Sequence, residues 1–315
     1  IVEAAAESGV QAVKLQTYRA DTITLDMDER EFFIEDPGSL WKGQSLYKLY
    51  QQAYTPSEWH EPIMNRCEEL GVTVFSTPFD ETAVDFLESL NVPAYKIASF
   101  ENNHLPLIKK AAGTGKPLII SCGMATISEL EDAVETARKA GCNRLVLLKC
   151  TSAYPANPVD TNLMTIPHLR KLFNVEVGLS DHTLGIGVSM AAVALEATVI
   201  EKHFTLSRAD GGVDATFSLE PNEMAMLVEE SHRAWQAIGS IFYGATEKEK
   251  SSMIFRRSLY ISEDMKKGAV FTPENLRVVR PGKGISPKYY DVVISKKITC
   301  DAKKGTPLTW NKVRG

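Results

Sequence analysis

No apolar run in the 315 residues approaches the roughly 20 that a bilayer-spanning helix needs, so no membrane partner is expected. No signal peptide is visible. Cysteine is sparse: Cys67, Cys122, Cys142, Cys150 and Cys300 are scattered and odd in number. They form neither a disulfide framework nor a zinc-type spacing, so reduced thiols in a cytoplasmic protein are expected. No glycine-rich phosphate loop follows the first strand-like run, as it usually does in an open doubly wound sheet. The basic C-terminal segment has few interleaved aromatics and no recognition motif, so nucleic acid is not an expected partner.

What is present suits a folded protein of about two domains, with 44% hydrophobic and 24% charged residues. The net charge of −5 is unevenly spread. Residues 257–315 hold 13 basic against 5 acidic side chains, a net of +8 that leaves −13 for the rest. Such a basic module suits anions or an acidic partner surface, although a lysine-rich solvated face has the same composition.

Over the first 240 residues, short β-branched runs alternate with amphipathic stretches. Strands are predicted at residues 12–17, 72–79, 94–99, 117–123, 145–152, 175–182 and 199–204. Helical patterns lie between them, as at 81–90, 128–140 and 189–197. This rhythm predicts an α/β fold, a TIM (β/α)8 barrel, with an open doubly wound sheet as the alternative. The sequence opens inside a helix-like segment at 1–8, so an eighth strand is expected to precede it. Residues 21–60 form an insertion rich in aromatics, with a turn signal at Pro37-Gly38, and long loops of this kind cover active sites. The barrel is expected over 1–245, a charged linker over 246–256 and a small β-rich domain over 257–315. In that last part Asp264-Met-Lys-Lys-Gly268 recurs 37 residues later as Asp301-Ala-Lys-Lys-Gly305. Each glycine suits a turn needing positive φ.

In such a barrel the reacting groups sit where strands end. Here those ends carry Lys14 and Gln16, Ser76 and Thr77, Lys96, Ser99 and Glu101, Ser121, Thr151, Ser152 and Tyr154, Ser180, Asp181 and His182, and Glu201 and His203. Strand period puts Lys14 with Gln16, Ser180 with His182, and Glu201 with His203 on shared faces. His182 and His203 end consecutive strands, and two neutral imidazoles suit a divalent cation; two ordinary hydrogen-bonded histidines are the simpler alternative. Lys14 and Lys96, with Thr77, Ser99, Ser121 and Ser180, make a cradle for phosphate and carboxylate, unless the lysines only form salt bridges. A Schiff base on Lys96 or Lys149 is a further possibility. Glu101 is a candidate general base or acid. Glu201 is ambiguous.

Five stretches together resemble the sialic acid synthase family: Val13-Lys-Leu-Gln-Thr17, Phe75-Ser-Thr-Pro-Phe79, Tyr95-Lys-Ile-Ala-Ser99, Gly178-Leu-Ser-Asp-His182 and Glu201-Lys-His-Phe-Thr205. Arg280-Pro-Gly282, within 275–284, resembles the SAF (antifreeze-like) module that follows the barrel in that family. The resemblance implies a condensation in which C3 of phosphoenolpyruvate attacks the aldehyde of an open-chain N-acetylated amino sugar. Water then adds at C2 and phosphate leaves. It implies His182 and His203 as ligands of a divalent metal, Mn2+ foremost, with Mg2+ or Co2+ as alternatives. It implies Lys14, Thr77, Lys96, Ser99, Ser121, Ser152 and Ser180 as the phosphoenolpyruvate pocket, with Ser152 standing where relatives carry Asn. Glu101, Lys96, His182 and His203 are the implied catalytic set, with Glu101 moving the proton of water. Gln16, Tyr154, Asp214 and Arg280 are the implied sugar contacts. Arg280 would reach the partner's site in a homodimer whose SAF domain covers it. A Glu-x-x-x-Asn-His-x-Gly-like motif of the family's first strand is absent, consistent with a segment preceding Ile1.

Within the family, Leu40-Trp-Lys-Gly43, Leu46-Tyr-Lys-Leu-Tyr50, Ala53-Tyr-Thr-Pro56, Cys150-Thr-Ser-Ala-Tyr-Pro155, Phe217-Ser-Leu-Glu-Pro221 and Arg256-Arg-Ser-Leu-Tyr260 are most similar to one branch. Its acceptor is 2,4-diacetamido-2,4,6-trideoxy-L-altrose, and aromatics at 32–59 could pack on the methyl group of that sugar. N-acetylneuraminic or legionaminic acid synthesis by the same mechanism is the alternative. A non-catalytic carbohydrate-binding protein is the alternative of another class.

Overall fold

The structure, a computed structural model, describes residues 1–36 and 40–315. The turn expected at Pro37-Gly38 lies outside the described residues. The chain divides into two compact units, Ile1–Gly239 and Ser240–Gly315.

The first unit is built on seven parallel strands: β1 (Ala12–Thr17), β2 (Thr73–Pro78), β3 (Tyr95–Ile97), β4 (Leu118–Ser121), β5 (Leu145–Cys150), β6 (Glu176–Asp181) and β7 (Ile200–Lys202). They pair in sequence order, β1 to β7. The helices are α1 (Val2–Glu7), α2 (Ala20–Ile23), α3 (Leu46–Ala53), α4 (Ser57–Glu69), α5 (Glu81–Ser89), α6 (Leu105–Gly113), α7 (Ile127–Lys139), α8 (Thr165–Phe173), α9 (Gly187–Ala194) and α10 (Pro221–Ile238). Sequential parallel pairing with a helix after each strand is TIM-barrel architecture, not the crossing order of a doubly wound sheet.

The local causes are plain. Leu118, Ile120, Leu147, Leu148, Val177 and Leu179 are all buried, because parallel strands between helices and barrel interior have no wet face. The core packs those strands against Val84 and Leu87 of α5, Leu107 and Ile108 of α6, and Leu130 and Val134 of α7. Asp80 caps α5 by accepting from the Thr82 and Ala83 amides, and Thr126 and Glu129 close a reciprocal capping box on α7. Both helices therefore start just beyond a strand end, which keeps the strand-to-helix loops at the mouth short. Expected strand limits were generous at the C-terminal side: Ser99 belongs, with Glu101, to a 3-10 turn and not to β3. The insertion after β1 holds α2 and α3, while α4 is the crossover helix to β2.

The second unit has its own apolar core, including Leu259, Phe271, Leu276, Ile298 and Leu308. It holds β8 (Ser258–Ile261), β9 (Leu276–Val279), α11 (Tyr290–Val293), β10 (Lys297–Ile298) and β11 (Val313–Arg314). The sequence repeat becomes a reciprocal pair of turns. Met265 bridges Ala302, Asp264 accepts from Lys303 Nζ at 2.7 Å, and Asp301 accepts from Lys266 Nζ at 2.8 Å. Gly268 and Gly305 have φ of +88° and +85°, a region open to glycine without steric cost. No helix among the described residues is long and apolar enough to cross a membrane.

Candidate active site

Side chains from β1, β3, β6 and β7 meet at one point. Glu201, on β7, is its electrostatic centre. Its Oε1 accepts from Lys96 Nζ at 2.8 Å and from Ser180 Oγ at 3.2 Å, and Lys14 Nζ lies 3.7 Å from the same oxygen. Register explains the convergence: Ser180 stands opposite Glu201 across β6 and β7. Burial would raise the Glu201 carboxyl, but Lys14 and Lys96 more than offset it and hold the group well below the usual carboxylate range. Burial pushes Lys14 below its ordinary value against the pull of Glu201. Two ammonium groups share one carboxylate, which leaves the cluster a positive charge to offer an anion. The lysines do form salt bridges, and that does not exhaust them.

Other strand ends carry hydroxyls. Thr77 Oγ1 and Ser121 Oγ are buried and lack any hydrogen-bond partner among the described residues. A buried hydroxyl left unpaired costs roughly 1–3 kcal/mol, so these two are suited to a bound acceptor oxygen. Ser99 Oγ accepts from the Gly123 amide at 3.2 Å. A Cβ on Gly123 would stand 2.3 Å from Ser152 Oγ and 2.6 Å from Ser99 Oγ, so the loop after β4 runs directly against both serines. Buried Asn102 holds that loop by donating to the carbonyls of Ser121 at 3.3 Å and Gly123 at 3.0 Å.

Beside the cradle, the His182 and His203 ring centroids are 5.3 Å apart. His182 Nδ1 lies 2.9 Å from the Thr151 carbonyl, and His203 Nδ1 lies 3.3 Å from Asp214 Oδ2. With Nδ1–H donated in each ring, both Nε2 lone pairs are open when the rings are neutral; burial lowers His182, but Cys150 and the Thr151 carbonyl outweigh it and hold His182 above its ordinary pKa. Burial lowers His203 below its ordinary pKa, with Asp214 opposing, so it is neutral and able to ligate near pH 7. No group of three or more His, Cys, Asp or Glu among the described residues could enclose an ion. The pair nevertheless fits a divalent cation whose remaining positions are open to water and substrate oxygen, because each Nδ1 is fixed by an outer partner.

Glu101 stands at the mouth with Oε2 buried and unpaired among the described residues. Burial raises its pKa to about 7. Tyr154 packs on His182 at 4.6 Å and on Phe217 at 5.2 Å, and Phe217 lies 4.9 Å from His203. Gln16 shares its face of β1 with Lys14 and stands opposite Thr77. Lys149 is turned elsewhere, its Nζ donating to the Cys150 carbonyl at 2.9 Å. Arg280 belongs to the second unit, just after β9. Sequence reasoning did not single out Gly123 or Asn102, named Phe217 only within a stretch of resemblance and not as a neighbour of the imidazoles, and left Glu201 without a role. The period that paired Glu201 with His203 was the signal for that residue.

A sequence model of the NeuB family matches residues 1–243, and one of the SAF domain matches 256–314. The chain is 42% identical to a pseudaminic acid synthase of Campylobacter jejuni over 307 residues, 98% of this chain and 89% of that protein. It is 41% identical to a pseudaminic acid synthase of Helicobacter pylori, over 96% and 89% of the two. The crystal structure of the spore coat polysaccharide biosynthesis protein SpsE from Bacillus subtilis matches with a TM-score of 0.64 at 32% identity, covering 100% of this chain and 89% of that one.

Proposed function

Because the chain belongs to the NeuB family, we propose that it is a pseudaminic acid synthase: it condenses phosphoenolpyruvate with 2,4-diacetamido-2,4,6-trideoxy-L-altrose and water, releasing phosphate. The observation that carries the reading is the juxtaposition at the strand ends. A net-positive lysine pair lies beside two imidazoles with free Nε2 atoms, and two orphan hydroxyls sit on β2 and β4 of the same sheet.

In this reading Lys14, Lys96, Thr77, Ser99, Ser121, Ser152 and Ser180 bind the phosphate and carboxylate of phosphoenolpyruvate. Glu201 holds the two ammonium groups in place and limits the charge they present. Gln16, Tyr154 and Asp214 bind the acceptor sugar. Nε2 of His182 and His203 would hold a divalent cation, manganese foremost, which when bound supplies Lewis-acid polarisation of the acceptor aldehyde. The C2=C3 π electrons of phosphoenolpyruvate form the new bond from C3 to the aldehyde carbon, the C=O π pair moves to oxygen, which takes up a proton to become a hydroxyl, and C2 is left electron-deficient. Glu101, poised near neutrality, takes the proton of the water that adds at C2. Breaking the C2–O bond then frees phosphate. Tyr154 and Phe217 keep bulk water from the reacting carbons. We also infer a homodimer in which Arg280 serves the partner's acceptor site. The +8 C-terminal segment and the −13 remainder support such an arrangement electrostatically.

The test is phosphate release from phosphoenolpyruvate with manganese and, separately, the altrose derivative, N-acetylmannosamine and the legionaminic precursor, with and without EDTA. Metal-dependent release with the altrose derivative alone is expected. Release with another acceptor only would keep the chemistry and overturn the assigned sugar.

A further inference from the structure

Trp41 lies in the insertion after β1, far in sequence from the imidazoles, yet it is tied to both elements that hold them. Its Nε1 donates to the Val213 carbonyl at 3.2 Å, one residue before the Asp214 that anchors His203. Its ring packs on Tyr154 at 6.0 Å with a tilt of 54°, and Tyr154 packs on His182. The rings of Trp41, Tyr154, Phe217, His182 and His203 therefore form one continuous aromatic run.

We propose that Trp41 forms the distal, apolar end of the acceptor site and selects sugars that carry a methyl group, not a hydroxymethyl group, at C6. The reasoning rests on the reading that an open-chain amino sugar binds with its aldehyde at the imidazoles. A chain held there extends along Tyr154 toward Trp41. Indole has one N–H and no acceptor, and here the N–H is already bound to Val213. The far end of the wall has nothing left in the indole with which to pair a 6-hydroxyl. Burying that hydroxyl unpaired is penalised, whereas a methyl gains contact with the ring face.

The experiment compares kcat/KM for 2,4-diacetamido-2,4,6-trideoxy-L-altrose and for its 6-hydroxy counterpart, in the wild type, Trp41→Ala and Trp41→Gln. A preference for the 6-deoxy sugar on the order of 100-fold is expected in the wild type, the scale on which an apolar pocket rejects an added hydroxyl. Trp41→Ala should reduce the preference by about 10-fold through a higher acceptor KM, with the KM for phosphoenolpyruvate unchanged. Trp41→Gln supplies an amide that can pair with the hydroxyl, and should raise turnover of the 6-hydroxy sugar. Folded variants with the wild-type preference would overturn the inference and leave the proposed reaction standing. A wild type that turns over neither altrose sugar, but does turn over another acceptor, would overturn the acceptor assignment and this inference with it.

Discussion

At the scale of single residues, the site depends on groups whose importance comes from neighbours. Gly123 has no side chain to contribute, yet any Cβ there would collide with Ser99 and Ser152. Trp41 aside, no residue makes a cleaner test. Gly123→Ala is expected to raise the KM for phosphoenolpyruvate by roughly 10- to 100-fold, since a displacement of about 1 Å in a positioned group costs that much. Acceptor KM should change little; equal loss in both would point to a general collapse of the mouth. Glu101 gives a pH prediction. As the base, it must be ionised, so kcat/KM should rise with pH through about 7, and Glu101→Gln should abolish that limb along with most activity. Stability has the opposite sign. A carboxyl raised from 4.5 to about 7 by folding contributes stability below pH 4.5 that is lost as pH climbs to about 7. The Tm of Glu101→Gln, relative to wild type, should therefore increase from pH 4.5 to 7 and then level off.

At the scale of elements, β6 and β7 carry chemistry on one face and a sealed ion pair on the other. Asp181 and Lys202 stand opposite each other in register, 3.1 Å apart, and both side chains are essentially inaccessible. Asp181 also accepts from the Thr183 amide, the Thr183 hydroxyl and Ser189, and Lys202 donates to the Thr183 carbonyl. A slip of one residue would turn His182 or His203 out of the site. The pair is satisfied in this register, with the two imidazoles on adjoining strands. Removing one partner leaves a buried charge, so Lys202→Met should cost roughly 3–5 kcal/mol in denaturant unfolding. Asp181→Leu with Lys202→Met should recover much of that stability; failure to do so would mean that the pair supplies more than its own desolvation. The elements were largely legible from sequence, because parallel strands buried on both sides read as short apolar runs. Their ends were not. β3 stops at Ile97, and Ser99 and Glu101 turn away in a 3-10 loop that a β-rich stretch does not announce.

At the scale of the whole molecule, the chain is two units with separate cores and opposite charge. The proposed homodimer predicts complementation between subunits. Arg280→Ala and Glu101→Gln should each be nearly inactive alone, and mixing them under exchange should restore activity approaching a quarter of wild type. That fraction follows because half of a random mixture is heterodimer and one of its two sites is intact. No recovery after verified exchange would mean that each protomer completes its own site.

What the sequence determined by itself is the part of the protein governed by local pattern. The alternation of apolar runs and amphipathic stretches specifies strands and helices, and the spacing of Lys14 with Gln16 or Glu201 with His203 specifies which side chains share a face. The offset of 37 residues between the Asp264 and Asp301 turns likewise announced a pseudo-symmetric unit. Only the tertiary structure decided which of those faces meet. Glu201 becomes the shared counter-ion of two lysines more than 100 and nearly 190 residues away. Gly123 becomes the floor under two serines, and Trp41 joins an aromatic wall anchored 172 residues further along. These are contacts set by the curl of the sheet and by loop path, and pairwise distance across a fold is not encoded in the periodicity of any one segment.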